Sequence, residues 1–324
     1  MEAPCTTLPA SDEAIARAAE RLHDGGLVAF PTETVYGLGA DARNDDAVAR
    51  IFAAKDRPSF NPLIVHVADL DAAGTYGAVN DLARMLAERF WPGPLSIVLP
   101  RLPDSGLSLL VSAGLDTVAL RAPAHPLAQD LLTRFGGPIA APSANRAGEV
   151  SPTAATHVLE SLGNAPDLII DGGHCTVGLE STVIDLCDER PAILRHGAVT
   201  REQLEEQLGA VDDASIPESG AAPRSPGQIA RHYAPAIPIR INVTDPRPDE
   251  AFVAFGVPGT NNAAVELNLS PSGEVIEAAA RLFATLRELD RPEFTGIAVA
   301  PVPDIGIGRA INDRLRRAAA AHAD

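Results

Sequence analysis

Two stretches of this chain set cations and short polar side chains at the ends of strand-like runs. In the first, Lys55-Asp56-Arg57-Pro58 leads through Asn61-Pro62 into the apolar run Leu63-Ile64-Val65-His66-Val67. In the second, Thr117-Val118-Ala119-Leu120-Arg121-Ala122-Pro123 is followed by Ala140-Ala141-Pro142-Ser143-Ala144-Asn145-Arg146. A lysine ammonium is a compact charge, and an arginine is a planar fork suited to bidentate contact with phosphate or carboxylate. Hydroxyl and amide side chains can bond the remaining oxygens. This is chemistry for holding phosphates and a small zwitterion. Pro31-Thr32-Glu33-Thr34-Val35-Tyr36-Gly37-Leu38-Gly39 adds two threonine hydroxyls and two glycines directly after a buried run, where backbone can approach a ligand closely. Gly178-Leu179-Glu180-Ser181-Thr182 and Arg195-His196-Gly197 border two further runs.

Each segment taken alone also has a plainer reading. Thr32 and Thr34 suit a turn, Lys55 and Arg57 suit the C-terminal end of a helix, and Ser143 and Asn145 suit an Asx or Ser turn. His66 in an apolar run reads as a satisfied core residue or as a partner for a ligand carboxylate. Arg121 is the most demanding, because a guanidinium ending a buried strand needs an anion. Taken together in one domain, these segments favour a ligand site. Several other chemistries lack their signatures. No Ser or Cys stands in a nucleophile elbow, dinucleotide and Walker A glycine loops are missing, and no His, Cys and Asp cluster has metal-ligand spacing. The site is therefore expected to hold phosphates and position reactants without protein covalent chemistry.

The background sharpens this. Of 324 residues, 43 are Asp or Glu and 26 are Lys or Arg, for a formal net charge of -17. Such a chain repels nucleic acid and anionic membranes except where cations are concentrated. The three cysteines, Cys5, Cys175 and Cys187, are too scattered for a disulfide framework or a zinc site. A reducing, cytoplasmic setting is expected. The first residues show no signal peptide, and no uncharged apolar run approaches the roughly 18 residues of a membrane span.

The elements that must position these residues follow from periodicity and caps. Helices are predicted over 12–23 behind Ser11, 45–54 behind Asn44, 81–90, 126–135, from Ser151-Pro152 to about Leu162, and 200–208. Strands are predicted over 27–30, 63–67, 95–99, 117–121, 139–141, 168–171, 181–186 and 192–194. Strands outnumber helices, so residues 1–209 are expected to form an α/β domain on a twisted mixed sheet. Residues 210–238 have linker composition, yet contain Ser225-Pro226-Gly227-Gln228-Ile229-Ala230-Arg231-His232-Tyr233-Ala234-Pro235. Residues 239–324 read as a smaller α/β unit, with strands near 239–243, 251–255 and 297–300 and helices near 273–289 and 307–321.

In this order, the segments resemble the YrdC-like family of L-threonylcarbamoyladenylate synthases, in its long two-domain form. The resemblance is carried by Phe30 through Leu38, by Lys55-x-Arg57-Pro58-x-x-Asn61-Pro62-Leu63, and by Ser143-x-Asn145. It continues in Ser225-Pro226-Gly227 with His232-Tyr233-Ala234-Pro235, and in Ala310-Ile311-Asn312-Asp313-Arg314-Leu315. It implies a concave YrdC-like domain and a small Rossmann-like domain, joined by a linker that closes over the site. It also implies synthesis of threonylcarbamoyl-AMP from L-threonine, bicarbonate or CO2, and ATP, with pyrophosphate released. The product would pass to downstream threonylcarbamoyl-transferase proteins that modify tRNA.

By the same resemblance, Thr34, His66, Arg121, Ala141 and Ser181 are expected to contact threonine. Arg57, Asn61, Thr117, Ser143, Ser151, Arg195 and Tyr233 are expected to contact the nucleotide. Lys55 and Asn145, with Arg57, are expected to act on the phosphates or the carbamate. Mg2+ is expected to arrive with ATP, without a resident metal site. The sequence departs from the family pattern at Gln228-Ile229-Ala230 and at Asp304-Ile305-Gly306-Ile307-Gly308. A double-stranded RNA or tRNA binding module on the same concave domain is the alternative, and the acidic balance weighs against it. A carbamoyl-transfer domain of hydrogenase maturation is a third reading, weakened by the missing zinc-finger cysteines.

Overall fold

The computed structural model describes residues 5–214 and 233–322. The first part is an 11-stranded mixed sheet in the order β1-β8-β2-β3-β7-β4-β6-β5-β9-β10-β11. Its strands are β1 (Thr6–Pro9), β2 (Val28–Phe30), β3 (Gly37–Asp41), β4 (Ile64–His66), β5 (Leu95–Pro100), β6 (Thr117–Arg121), β7 (Ile139–Ala140), β8 (Leu168–Asp171), β9 (Thr182–Asp185), β10 (Ala192–Arg195) and β11 (Asp212–Asp213). The helices are α1 (Asp12–His23), α2 (Asp45–Lys55), α3 (Leu70–Ala73), α4 (Asp81–Phe90), α5 (Pro126–Phe135), α6 (Ala155–Leu162) and α7 (Arg201–Leu208). The expectation of a mixed α/β sheet holds.

Local chemistry sets several helix ends. Ser11 accepts from Ala14 N at 3.1 Å, and α1 buries Ile15, Ala18 and Leu22 beside Leu131, Leu132 and Phe135 of α5. Asn44 caps α2 by accepting from Ala47 N at 3.1 Å. Asp56 then turns out of that helix at φ 50° and releases Arg57 toward the sheet. Thr200 and Gln203 form a capping box at α7.

One predicted helix start is corrected. Ser151-Pro152 does not open α6, which begins at Ala155 behind Ala154. The Ser151 hydroxyl instead donates to the Glu180 carboxylate. The buried, charged carboxylate draws the Ser151 side chain away from the helix start, and His157 Nδ1 accepts from Thr153 N at 3.2 Å there instead. The structure also adds β1, β3, α3 and β11. Strand β3 is the one that matters for the site. Its Gly39 is required by contact, since a Cβ there would lie 2.8 Å from the Phe30 ring and 2.9 Å from Ile139.

The second part is a four-stranded parallel sheet in the order β12-β15-β13-β14. It comprises β12 (Ile239–Arg240), β13 (Ala251–Ala254), β14 (Val265–Asn268), which was not predicted, and β15 (Ile297–Val299), with helices α8 (Val275–Leu289) and α9 (Gly308–Ala320). Ala251, Val253, Ile297 and Val299 face both helices, and the same core takes in Val35, Val150 and Leu179 of the first part. The two parts therefore share apolar surface. The segment Ser225 to His232 lies outside the described residues, while Tyr233 and Ala234 are described. Ala234 N donates to Gly148 O at 2.8 Å.

Candidate functional site

Strand register assembles the site. Parallel pairing of β4 with β6 sets His66 beside Arg121, and antiparallel pairing of β4 with β7 sets Val65 beside Ala140. The chain after β7 carries Ala141 and Ser143 along the same rim. Gly37 and Ser143 form an isolated bridge that ties the start of β3 to this rim. From the other side come Glu180 and Ser181, at the entry to β9, and Arg195, at the end of β10. These residues line a partly open cavity, and Thr34, Arg57 and Tyr233 complete its wall.

Arg121 is buried and its donors are divided among three groups. Nη2 bonds Glu33 Oε1 at 2.7 Å, Nη1 bonds Thr34 Oγ1 at 2.9 Å, and Nε bonds Gly93 O at 3.2 Å. The anion that a strand-end arginine needs is thus Glu33, whose Oε2 also accepts from Ala124 N at 3.1 Å. Thr34 is held in turn by Thr32, whose Oγ1 lies 2.8 Å away. His66 stands edge-on to Phe30, with ring centroids 6.3 Å apart. Burial first, and then the Arg121 charge, lowers the His66 imidazole to about 3, so it is neutral at ordinary pH. Its Nδ1 is buried without a hydrogen-bond partner. Ser181 Oγ sits 2.8 Å from Ser96 Oγ.

Two more guanidiniums face this space without a carboxylate partner among the described ion pairs. Arg57 spends Nε on Asn61 O at 3.2 Å and Nη2 on Pro62 O at 2.9 Å. Burial lowers it to about 9, which leaves it charged at neutral pH. Arg195 donates to Ser181 O and to Ser181 Oγ, each at 3.1 Å. Glu180, also on the wall, is shared between domains. Burial alone would raise its carboxyl, but Arg314 and then Arg195 bring it below the usual range.

Other residues expected at the site stand behind the wall. Lys55 is buried and its ammonium donates to Ser143 O at 2.6 Å and to Asn145 O, so it braces the rim from below. Asn145 Nδ2 bonds Arg146 O at 2.8 Å and Glu149 O at 3.0 Å, and Asn145 Oδ1 is buried without a partner. Asn61 Oδ1 is likewise unpartnered. Ser151 is engaged by Glu180. Thr117 begins the strand that Arg121 ends, about 13 Å away at the usual rise per residue. Sequence reading did not single out Glu33, Glu180 or Arg314. All three lie in quoted segments, and the signal for Glu33 was the unmet need of Arg121.

Among the described residues no group of three or more His, Cys, Asp or Glu side chains could hold a metal ion. No described helix is long and apolar enough to cross a membrane.

The family model Sua5/yciO/yrdC, described as telomere recombination, matches residues 20–197. A second model, threonylcarbamoyl-AMP synthase C-terminal domain, matches residues 199–320. The chain is similar to threonylcarbamoyl-AMP synthase of Bacillus subtilis, 42% identical over 96% of this chain and 94% of that protein. It is similar to the synthase of Pyrococcus abyssi at 41% identity over 93% of this chain and 92% of that protein. The solved structure of P. abyssi Sua5 complexed with L-threonine superposes with a TM-score of 0.90 at 39% identity, covering 98% of each chain.

Proposed function

The chain belongs to the threonylcarbamoyl-AMP synthase family, and on that premise we propose that it joins L-threonine, bicarbonate or CO2, and ATP into L-threonylcarbamoyladenylate. The observation that carries this reading is the charge layout of one cavity. Arg57 and Arg195 face it without carboxylate partners among the described ion pairs, while Arg121 and neutral His66 sit together on paired strands. The unpaired guanidiniums suit a polyphosphate. The Arg121 corner suits the carboxylate of a small amino acid, and the relative solved with L-threonine supports that assignment.

The chain's residues bind and orient in this scheme. Arg121 has two N–H donors left after its three protein bonds, one on each terminal nitrogen, and these meet the threonine carboxylate. His66 and Ser181 offer further polar contacts, and Ala141 sets the width. The threonine amine, neutral in a dry pocket, attacks CO2 and loses a proton to water to form a carbamate; starting from bicarbonate, the same carbamate forms with loss of water. A carbamate oxygen then bonds to the α-phosphorus as the bond to the β-phosphate breaks, and pyrophosphate leaves. Arg57 and Arg195 offset charge on the phosphates, Ser143 borders the same rim, and Tyr233 covers the cavity against water.

Magnesium would travel with ATP and neutralise phosphate charge. Glu33 and Glu180 are committed to Arg121 and Arg314, so the residues at hand make no cage for a resident ion. The adenylate would be consumed by downstream proteins that modify tRNA. The net charge of -17 disfavours RNA binding as the main role.

The test is a drop-out assay. Pyrophosphate should appear only when threonine, bicarbonate and ATP are all present. Release that does not depend on threonine would sink this reading.

A further inference from the structure

The segment Ala310 to Leu315 of α9 adds nothing to the cavity wall, yet it holds the largest fully buried side chain of the described residues, Arg314. Its nitrogens are divided. Nε donates to Glu180 Oε2 at 2.9 Å, Nη1 donates to Asp313 Oδ2 at 2.7 Å, and Nη2 is buried without a hydrogen-bond partner. The guanidinium carbon lies 5.1 Å from the centroid of the Tyr233 ring. The Phe283 ring of α8 stacks on Tyr233 at 5.8 Å with the planes 21° apart. Tyr233 itself has φ 65°, a conformation that a bulky residue holds only when its surroundings enforce it.

Glu180 and Tyr233 both line the cavity, and both are gripped from the second domain. The grip is close. A Cβ on Gly178, two residues before Glu180, would meet Ala280 O of α8 at 2.4 Å, so backbone touches backbone there. A buried ion pair with an unsatisfied arm is a weak source of stability. Its position against two walls of a ligand cavity gives it a different use.

We propose that Arg314 is a positioning residue for the reaction. By holding the Glu180 carboxylate and the Tyr233 ring, it makes the second domain a working part of the nucleotide side of the cavity. The inference rests on the reading above, in which Arg195 and Tyr233 meet the nucleotide. The threonine side is built without α9: Glu33 anchors Arg121, and β4 and β6 pair His66 with it. Loss of Arg314 therefore separates the two substrates.

The full chain is tested as Arg314→Met, as Arg314→Lys, and as the double variant Glu180→Gln with Arg314→Met. The double variant removes both charges and avoids stranding a buried carboxylate if the single change fails to fold. Calorimetry is run with ATP and with L-threonine separately, beside the pyrophosphate assay. Arg314→Met should weaken ATP binding tenfold or more and leave threonine binding within twofold. Arg314→Lys keeps a charge for Glu180 but cannot also lie flat on the Tyr233 ring, so it should recover only part of the ATP affinity. The double variant should bind threonine normally and ATP weakly. The proposal is overturned if ATP affinity stays within twofold in every variant that binds threonine. It is equally overturned if both ligands weaken together, or if no variant binds threonine, since Arg314 would then serve the fold alone. The unaltered protein separates the two claims. If it lacks threonine-dependent pyrophosphate release, the synthase reading fails. If it is active and the variants bind ATP normally, only the role of Arg314 fails.

Discussion

Replacing Arg121 with lysine keeps one positive charge and discards the fork. The native guanidinium serves Glu33, Thr34 and Gly93 in three directions and keeps one N–H on each terminal nitrogen for a ligand. A lysine ammonium drawn to Glu33 as its ion partner cannot reach Gly93 O as well, and it presents the ligand with at most one well-aligned donor. Losing one charge-assisted hydrogen bond is worth about 1.5–3 kcal/mol. That corresponds to a roughly 10- to 150-fold weaker threonine dissociation constant. The fold should survive, because Glu33 retains a cation. Arg121→Ala would leave that carboxylate buried and alone, at about 3–5 kcal/mol. Titration calorimetry with L-threonine, and separately with ATP, reads the effect. Threonine affinity within twofold of the unaltered protein would refute the assignment of Arg121, and so would an equal loss of ATP affinity.

Acid should destabilise the protein through its buried imidazoles. The folded His66 lies near 3 while an unfolded histidine lies near 6.5, so the unfolded chain binds the extra proton between these values. Stability is then full above pH ~6.5 and falls as pH drops, by up to ~1.4 kcal/mol per unit from His66. His157, lowered to about 4 by burial, adds in the same direction. Denaturant titrations at stepped pH check this, and a flat profile for the unaltered protein against a His66→Gln control would contradict it. Lys55→Met removes the donor shared by Ser143 O and Asn145 O. Stranding two carbonyls, partly offset by relief of a buried ammonium, should cost about 2 kcal/mol, with weaker ATP binding as the rim loosens. Unchanged denaturation and ATP titrations would dispose of that bracing role. Gly197→Ala would push a Cβ to 2.3 Å from Thr182 N and 2.5 Å from Glu180 O, with only backbone to yield. It should lower stability by about 1–3 kcal/mol and slow the reaction, while Gly259→Ala, which meets nothing within 4 Å, should do neither.

What could be read in the sequence was what short stretches decide for themselves. The ends of α1 and α5 follow from Ser11 and from Gly136 in the left-handed region at φ 66°. The strands at 117–121 and 168–171 match because apolar run and boundary residues agree. Strand β3 was hidden because Gly37-Leu38-Gly39 reads as a turn until Phe30 and Ile139 are known to crowd it. Ser151 had the form of a cap, and only Glu180, distant in sequence, could claim its hydroxyl. At the site, residue types were legible and directions were not. That Arg121 needs an anion follows from its setting, but Glu33 as that anion depends on how the loop after β2 folds back. Lys55 was expected to act on the phosphates or the carbamate, and its ammonium donates to the backbone carbonyls of Ser143 and Asn145. Arg314 was quoted only as part of a motif, and its partners Glu180 and Tyr233 lie on separate segments that the fold brings together.

The pairing of β4 with β6 and β7 has a consequence for how such a chain can vary. Side chains along a strand alternate between faces with a period of two. Inserting or deleting one residue in β4 or β6 turns His66 or Arg121 away from its neighbour and brings an apolar side chain to the cavity. Exchange of one residue for another keeps every other position in place. Length changes are therefore expected in the outer loops, such as the turn before β14. The strands that line the cavity can diverge in composition but must keep their count, and the amino-acid pocket inherits its dimensions from that constraint.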